Sequence, residues 1–251
     1  MNTGEVAALY QKCEAQRSPY LMRGRDSSRI TVPTILTDEG NQSASKYPTP
    51  YQSVGARGVN NLSSALLLSL LPPNAPFFRL VLNEEEKKKL EQLGPQVNTE
   101  IEKSLSRIEH AIAREIEVNN IRVATFEALR HLVVTGNALL YMPDEGAMRV
   151  IHLDRYIVKR DPMGNAKCII MKETVAPAML PESVKSYVQS DLAEYEDSVD
   201  LFTKQEIMDD GRVELKQEVR GRIIEETVQT FPASRSPFIA VSYTQLRAHE
   251  T

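Results

Sequence analysis

Positive charge is not in excess in this chain: 30 Lys and Arg residues stand against 34 Asp and Glu, a net charge of −4. The whole molecule therefore lacks the basic footprint that draws proteins to nucleic acid or anionic membranes, and any contact with DNA is expected to be local or weak. Cysteine is scarce as well. Cys13 and Cys168 stand far apart without a spaced partner, which excludes a disulfide framework or a cysteine-rich zinc site and points to a reducing compartment. Residues 1–20 carry no basic n-region and no apolar h-region, so no secretory signal is expected there. Long apolar runs are missing too. Residues 65–71, interrupted by Ser69, fall far short of the roughly 20 needed for a membrane-spanning helix. No period of about 20 to 50 residues repeats along the chain.

Signatures of chemistry are equally thin. The four histidines, His110, His131, His152 and His249, lack the spacing that puts metal ligands on one helix face, so structural roles are expected and no metal or cofactor is called for. There is no GxSxG elbow or CxxC, and neither cysteine has a recognisable activating partner. Glu194, Glu196 and Asp197 fall in a loop-like stretch where solvation explains them better than acid–base roles. One motif invites an enzymatic reading. Gly55, Arg57 and Gly58 stand where a loop meets a helix, and free backbone N–H groups at such a junction can hold a phosphate. Val59 and Asn60 follow, however, where a P-loop has lysine and a hydroxyl residue, and only two glycines are present where a dinucleotide fingerprint needs three. A structural turn is favoured, with Arg57 in an ion pair or a partner contact; a phosphate-ligand- or nucleotide-binding enzyme is the alternative.

What is present is a change of period along a chain that is 41% hydrophobic and 25% charged, ordinary for a globular protein. Residues 6–16, extending toward Ile30, carry a polar amphipathic pattern with an interruption at Ser18-Pro19. Residues 37–51 are rich in turn formers and read as a loop. In 58–71 the helical period groups Leu62, Ala65, Leu66, Ser69 and Leu70 on the expected core face, against Asn60, Asn61, Ser63 and Ser64, with Pro72-Pro73 as the stop. Residues 77–82 read as a strand and 84–93 as a short charged helix. The strongest helical stripe is Val97, Ile101, Leu105, Ile108, Ile112 and Ile116, within 97–118. A second helix over 125–135 uses Phe126, Leu129, Leu132 and Val133 and is capped by Gly136-Asn137. Residues 138–142 read as a buried strand.

Beyond residue 148, alternation replaces helical period. Residues 149–153, 156–160 and 167–175 are strand candidates, with Asp161 to Asn165 as a hairpin turn between the last two. A short helix is expected in 177–189, and 198–208 and 213–224 flank a second hairpin at Asp209-Asp210-Gly211. The fold class is α+β, with N-terminal amphipathic helices followed by antiparallel strands and hairpins. Residues 1–142 form a mainly helical region and 143–240 a strand-rich one. Residues 241–251 break from the preceding strand pattern and read as a non-native, sequencing-adapter-like tail.

The ordered set of motifs resembles the portal, or head-to-tail connector, proteins of T7-like short-tailed bacteriophages. The resemblance begins at Tyr10 and Ser18-Pro19-Tyr20, continues through Thr31-Val32-Pro33, and is densest in residues 47–62 (YPTPYQSVGARGVNNL). It resumes at Phe126-Glu127-Ala128-Leu129, residues 132–141 (LVVTGNALLY), residues 156–161 (YIVKRD) and Gly164-Asn165. It covers some 230 residues in one order, the N-terminal half of such a protein, and corresponds chiefly to the wing; the part carrying stem, clip and crown is not represented. The resemblance implies a structural, non-enzymatic subunit of a homo-oligomeric ring, commonly of twelve copies, at one capsid vertex of the virion. Its implied partners are the large terminase, scaffold and major capsid proteins, tail or adaptor proteins, and double-stranded DNA sliding through without sequence specificity. The resemblance also implies assembly in the host cytoplasm, without a membrane. Gly55, Arg57, Gly58, Asn60 and Asn61 are the expected structural or subunit-contact motif.

Overall fold

The computed structural model describes residues 4–38, 50–73, 77–83, 95–144, 146–190 and 198–242. The charged helix expected over 84–93, most of the loop expected over 37–51, the acidic cluster at Glu194 to Asp197 and residues 243–251 lie outside them.

Helix α1, Glu5–Ile30, runs unbroken through Ser18-Pro19, where the sequence suggests an interruption. Proline removes one i→i−4 bond and crowds the preceding turn, at a cost of about 3 kcal/mol in a helix left to itself. Here tertiary packing outweighs that cost. Val6, Tyr10, Leu21, Gly24 and Ser28 are buried on both sides of Pro19, so one continuous face holds both halves of the helix in line.

Helices α2 (Val54–Leu70), α3 (Pro95–Val118) and α4 (Ile121–Thr135) follow among the described residues. Asn120, in the left-handed region at φ 53°, makes the corner between α3 and α4. Gly136 ends α4 at φ 74°, and its N–H donates to Leu132 O at 2.9 Å, the left-handed cap that glycine forms most readily. The stretch expected as a strand over 77–82 is irregular where described. Its Leu80 N–H donates to Glu109 Oε1 at 2.6 Å, so a helix side chain satisfies a group that a neighbouring strand would otherwise have taken.

The strands are β1 (Asn137–Tyr141), β2 (Arg149–Ile151), β3 (Tyr156–Arg160), β4 (Ala166–Val175), β5 (Val199–Ile207), β6 (Arg212–Val219), β7 (Arg222–Pro232) and β8 (Phe238–Ser242). A short helix α5, Glu182–Ser190, lies between β4 and β5. They form two antiparallel sheets, β2-β1-β8 and the meander β3-β4-β5-β6-β7. The hairpins at Asp161–Asn165 and Asp209–Gly211 stand where turn chemistry places them. A third was not legible: the stretch expected as one strand over 213–224 is cut at Arg220-Gly221, whose φ of 45° and 80° make the tight reversal between β6 and β7.

Alternation sorts the cores. Cys168 and Ile170 of β4 join Ile157, Phe202, Val6 and Tyr10 in a cluster under the first half of α1. Ile169 and Met171 face the other way, into a cluster with Leu21, Leu36, Leu139, Ile151, Leu153, Tyr156 and Phe238 that links α1 to both sheets. A third cluster buries α5, through Val184 and Val188, together with Leu180 just before it, against Val199, Leu201, Val219 and Ile224. Burial pushes the Cys168 thiol up to about 11, so it stays protonated at neutral pH. Among the described residues no helix is long and apolar enough to cross a membrane, and no group of His, Cys, Asp and Glu could hold a metal ion.

Candidate functional site: the helical layer and its anchors

The expected motif lies inside α2 rather than in a turn before it. Gly55 sits in the first helical turn, and a Cβ added there would lie 2.7 Å from Ile30 O and 3.1 Å from Thr31 Cγ2. Its function within the chain is close approach: backbone cannot yield as a flexible side chain can, so only glycine lets α2 start against the end of α1. A Cβ at Gly58 would meet nothing within 4 Å. Arg57, Asn60 and Asn61 are exposed and make no side-chain hydrogen bond or ion pair with the described residues. The Arg57 N–H is bonded to Ser53 O at 2.9 Å, as helix geometry requires, and Ser53 supplies no side-chain cap.

The face of α2 differs from the sequence reading. Val59 and Ser63 are the buried residues, whereas Leu62 (49%), Leu68 (56%) and Leu70 (53%) remain exposed. Apolar period alone assigns leucine to the core, but α2 packs on α4, and the buried residues of the pair are Val59 and Ser63 on one side and Ala124, Ala128, Leu129 and His131 on the other. With Val59 and Ser63 as its buried residues, α2 leaves Leu62, Leu68 and Leu70 turned outward. The stripe on α3 is likewise uncovered: Ile108 and Ile112 are exposed, and Ile101, Leu105 and Ile116 are half-buried at most.

Three anchors position this layer, and none is a motif. Arg122 donates to Leu71 O at the end of α2 and pairs with Glu117 Oε1 at 2.5 Å, fixing α2 to the α3–α4 corner. Arg17 on α1 donates to Leu153 O at 2.8 Å, to Asp154 O at 3.2 Å and to Tyr156 O, while Tyr10 Oη donates to Asp154 O at 2.8 Å. Glu218 on β6 accepts the N–H groups of Val6 and Ala7, each at 3.0 Å. These are first-turn donors of α1, which have no partner inside the helix.

His131 and His152 meet edge to face, with ring centroids 5.1 Å apart, and His152 Nδ1 bonds to Ile35 O at 3.1 Å. Burial first, then the charges of His152 and Arg130, hold the His131 imidazole down at about 4. An unfolded histidine titrates near 6.5. Above pH ~6.5 both states carry a neutral ring, and the site adds no pH dependence. Between about 6.5 and 4 the unfolded chain takes up the proton first, so stability falls as pH drops, by about 3 kcal/mol at pH 4. His131→Gln is expected to remove that part of the slope; urea midpoints of both proteins across this range check it, and equal slopes would refute the assignment.

Comparison with known proteins accords with this architecture. Residues 3–222 match the family model described as bacteriophage head to tail connecting protein, and the chain belongs to that family. The portal protein of Escherichia phage T7 is 33% identical over 247 residues, covering 95% of this chain and 46% of that protein. The portal protein of Enterobacteria phage T3 is 35% identical over 242 residues, 93% and 45% of the two chains. That of Enterobacteria phage SP6 is 28% identical over 217 residues, 85% and 42%. The chain thus spans about half the length of the relatives it matches. The enzymatic alternative at Gly55 to Gly58 finds no support in these matches.

Proposed function

We propose that the chain is the N-terminal half of a phage portal subunit, a structural part of a head-to-tail connector ring through which the genome is packaged and released. The observation that supports this reading most directly is apolar surface left exposed among the described residues, on α2 at Leu62, Leu68 and Leu70 and on α3 at Ile108 and Ile112. Repetition of one chain around a closed heterologous ring covers such surfaces. Arg57, Asn60 and Asn61, exposed beside the leucines, are the polar contacts of the same interface. A mildly acidic subunit suits a DNA conduit, since many phosphate contacts would hold the polyanion in place through counterion release. The ring, of about twelve copies, would stand at the portal vertex of the virion, assemble in the host cytoplasm, and dock the large terminase, scaffold, major capsid and tail proteins.

Electron microscopy and sedimentation of the assembled gene product test this. Arg57→Glu and Ile112→Glu are expected to leave circular dichroism unchanged and to weaken assembly at least tenfold, since one misplaced charge at a subunit contact costs above 1.4 kcal/mol. Monomers under every condition with the unsubstituted protein, or rings indifferent to both substitutions, would overturn the reading.

A further inference from the structure

A cleft of about 650 Å³ lies between α1, the end of α4 and β3. Among the described residues its lining includes four cations, Arg17, Arg23, Lys159 and Arg160, and no carboxylate. In a chain of net charge −4, that concentration of one sign is a local exception. None of the four makes an ion pair with a described residue. Arg17 is spent on backbone carbonyls, Arg160 donates to Gly164 O at 2.8 Å and Ala240 O at 3.4 Å, and Arg23 donates to Pro19 O and lies over the Tyr20 ring. Glu14 and Asp154 stand near Tyr10 but do not line the cleft. Two further donors there, Arg17 Nε and Tyr156 Oη, are buried without a hydrogen-bond partner.

The shape of the cleft selects among anions. Its α1 wall runs from Cys13 to Ser27, roughly 21 Å at about 1.5 Å per residue, which matches an extended segment of about six residues and far exceeds an inorganic phosphate. Its opposite wall is all of β3, the terminal strand of the five-stranded sheet. The Tyr156 carbonyl points away from β4, since it accepts from Arg17; by the alternation of an antiparallel ladder Val158 turns its main-chain groups the same way. The floor is apolar, with Leu21, Leu153 and Ile157 buried.

We propose that this cleft is a docking groove for an extended acidic segment of a partner protein, laid along the outer edge of β3 where Val158 presents its main-chain groups, with its carboxylates reaching Arg23, Lys159 and Arg160. Strand addition at a sheet edge supplies main-chain bonds, and the cationic rim selects sequence. The inference does not depend on ring assembly.

The probe is a short, dye-labelled, acetylated peptide alternating glutamate and valine, titrated by fluorescence polarisation. Arg23 and Lys159 are exposed, so Arg23→Glu and Lys159→Glu test the rim without disturbing the fold, with unchanged thermal unfolding as the control. Binding is expected to weaken with added salt and to fall at least tenfold in the double variant, while a lysine–valine peptide fails to bind. N-methylation of the peptide's valines, which removes donors but no charge, is expected to abolish binding. Three outcomes overturn the proposal: equal binding of the N-methylated peptide; an oligonucleotide that binds through the same two residues while the peptide does not; or a longer product of the same gene that refuses the peptide, which would assign the groove to the protein's own chain.

Discussion

Replacing Glu218 by alanine is expected to destabilise the chain by about 3 to 5 kcal/mol, since hydrogen bonds to a charged group contribute ~1.5–3 kcal/mol each and two donors, one buried and one partly buried, lose their acceptor. The carboxylate is 1% exposed and faces the positive end of the α1 dipole, where negative charge is favoured. Glu218→Gln keeps one acceptor and loses the charge, so about half the penalty is expected. Gly4→Ala reaches the same contact from the other side, because its Cβ would lie 2.3 Å from Glu218 Oε1 and drive the carboxylate off its donors. Coupling follows. In the Glu218→Ala background the Gly4→Ala change is expected to add little, and urea unfolding of the four proteins measures this non-additivity. Strictly additive penalties would mean that the two residues act independently.

Arg17→Ala is expected to cost about 3 kcal/mol, because one guanidinium holds the carbonyls of Leu153, Asp154 and Tyr156 against α1. Arg17→Lys retains the charge without the planar fork, and a compact ammonium cannot span three carbonyls. Recovery of no more than about half the loss is therefore expected. Tyr10→Phe, which removes one bond to Asp154 O, should cost nearer 1 kcal/mol. Denaturant midpoints at unchanged slope rank the three; an Arg17→Lys variant as stable as the parent would show that charge alone suffices.

Legibility followed the range of the interaction. Elements set by local chemistry stood in the sequence: β3, the two hairpins at Asp161–Asn165 and Asp209–Gly211, the Gly136 cap and the extent of α3 all depend on neighbours within a few residues. Features set by distant partners did not. Pro19 signals a break locally, and only the packing of Tyr10 and Leu21 on strands more than a hundred residues away overrules it. The leucines of α2 read as core because a single chain's period carries no information about which face meets α4. The Arg220-Gly221 reversal was hidden by the uniform alternation on either side of it. Of the candidate site, the sequence singled out the α2 residues whose contact role is proposed above, while the anchors at Arg17, Arg122 and Glu218 are lone charged residues with no pattern to single them out. The basic cleft was invisible for the same reason: its cations come from α1 and β3, over a hundred residues apart, and disappear in an acidic average.

The Glu218 cap also dictates an order of events at the ribosome. Helix α1 is made before the other described elements, yet the acceptor for its leading N–H groups emerges 212 residues after Val6, when β6 has cleared the exit tunnel. Closing so long a loop is slow compared with local pairing. The five-stranded meander, built almost wholly from adjacent hairpins, has every reason to assemble before α1 is clamped. A segment made before every strand is thus among the last to settle, and until then its apolar face is open to chaperones or to a neighbouring copy.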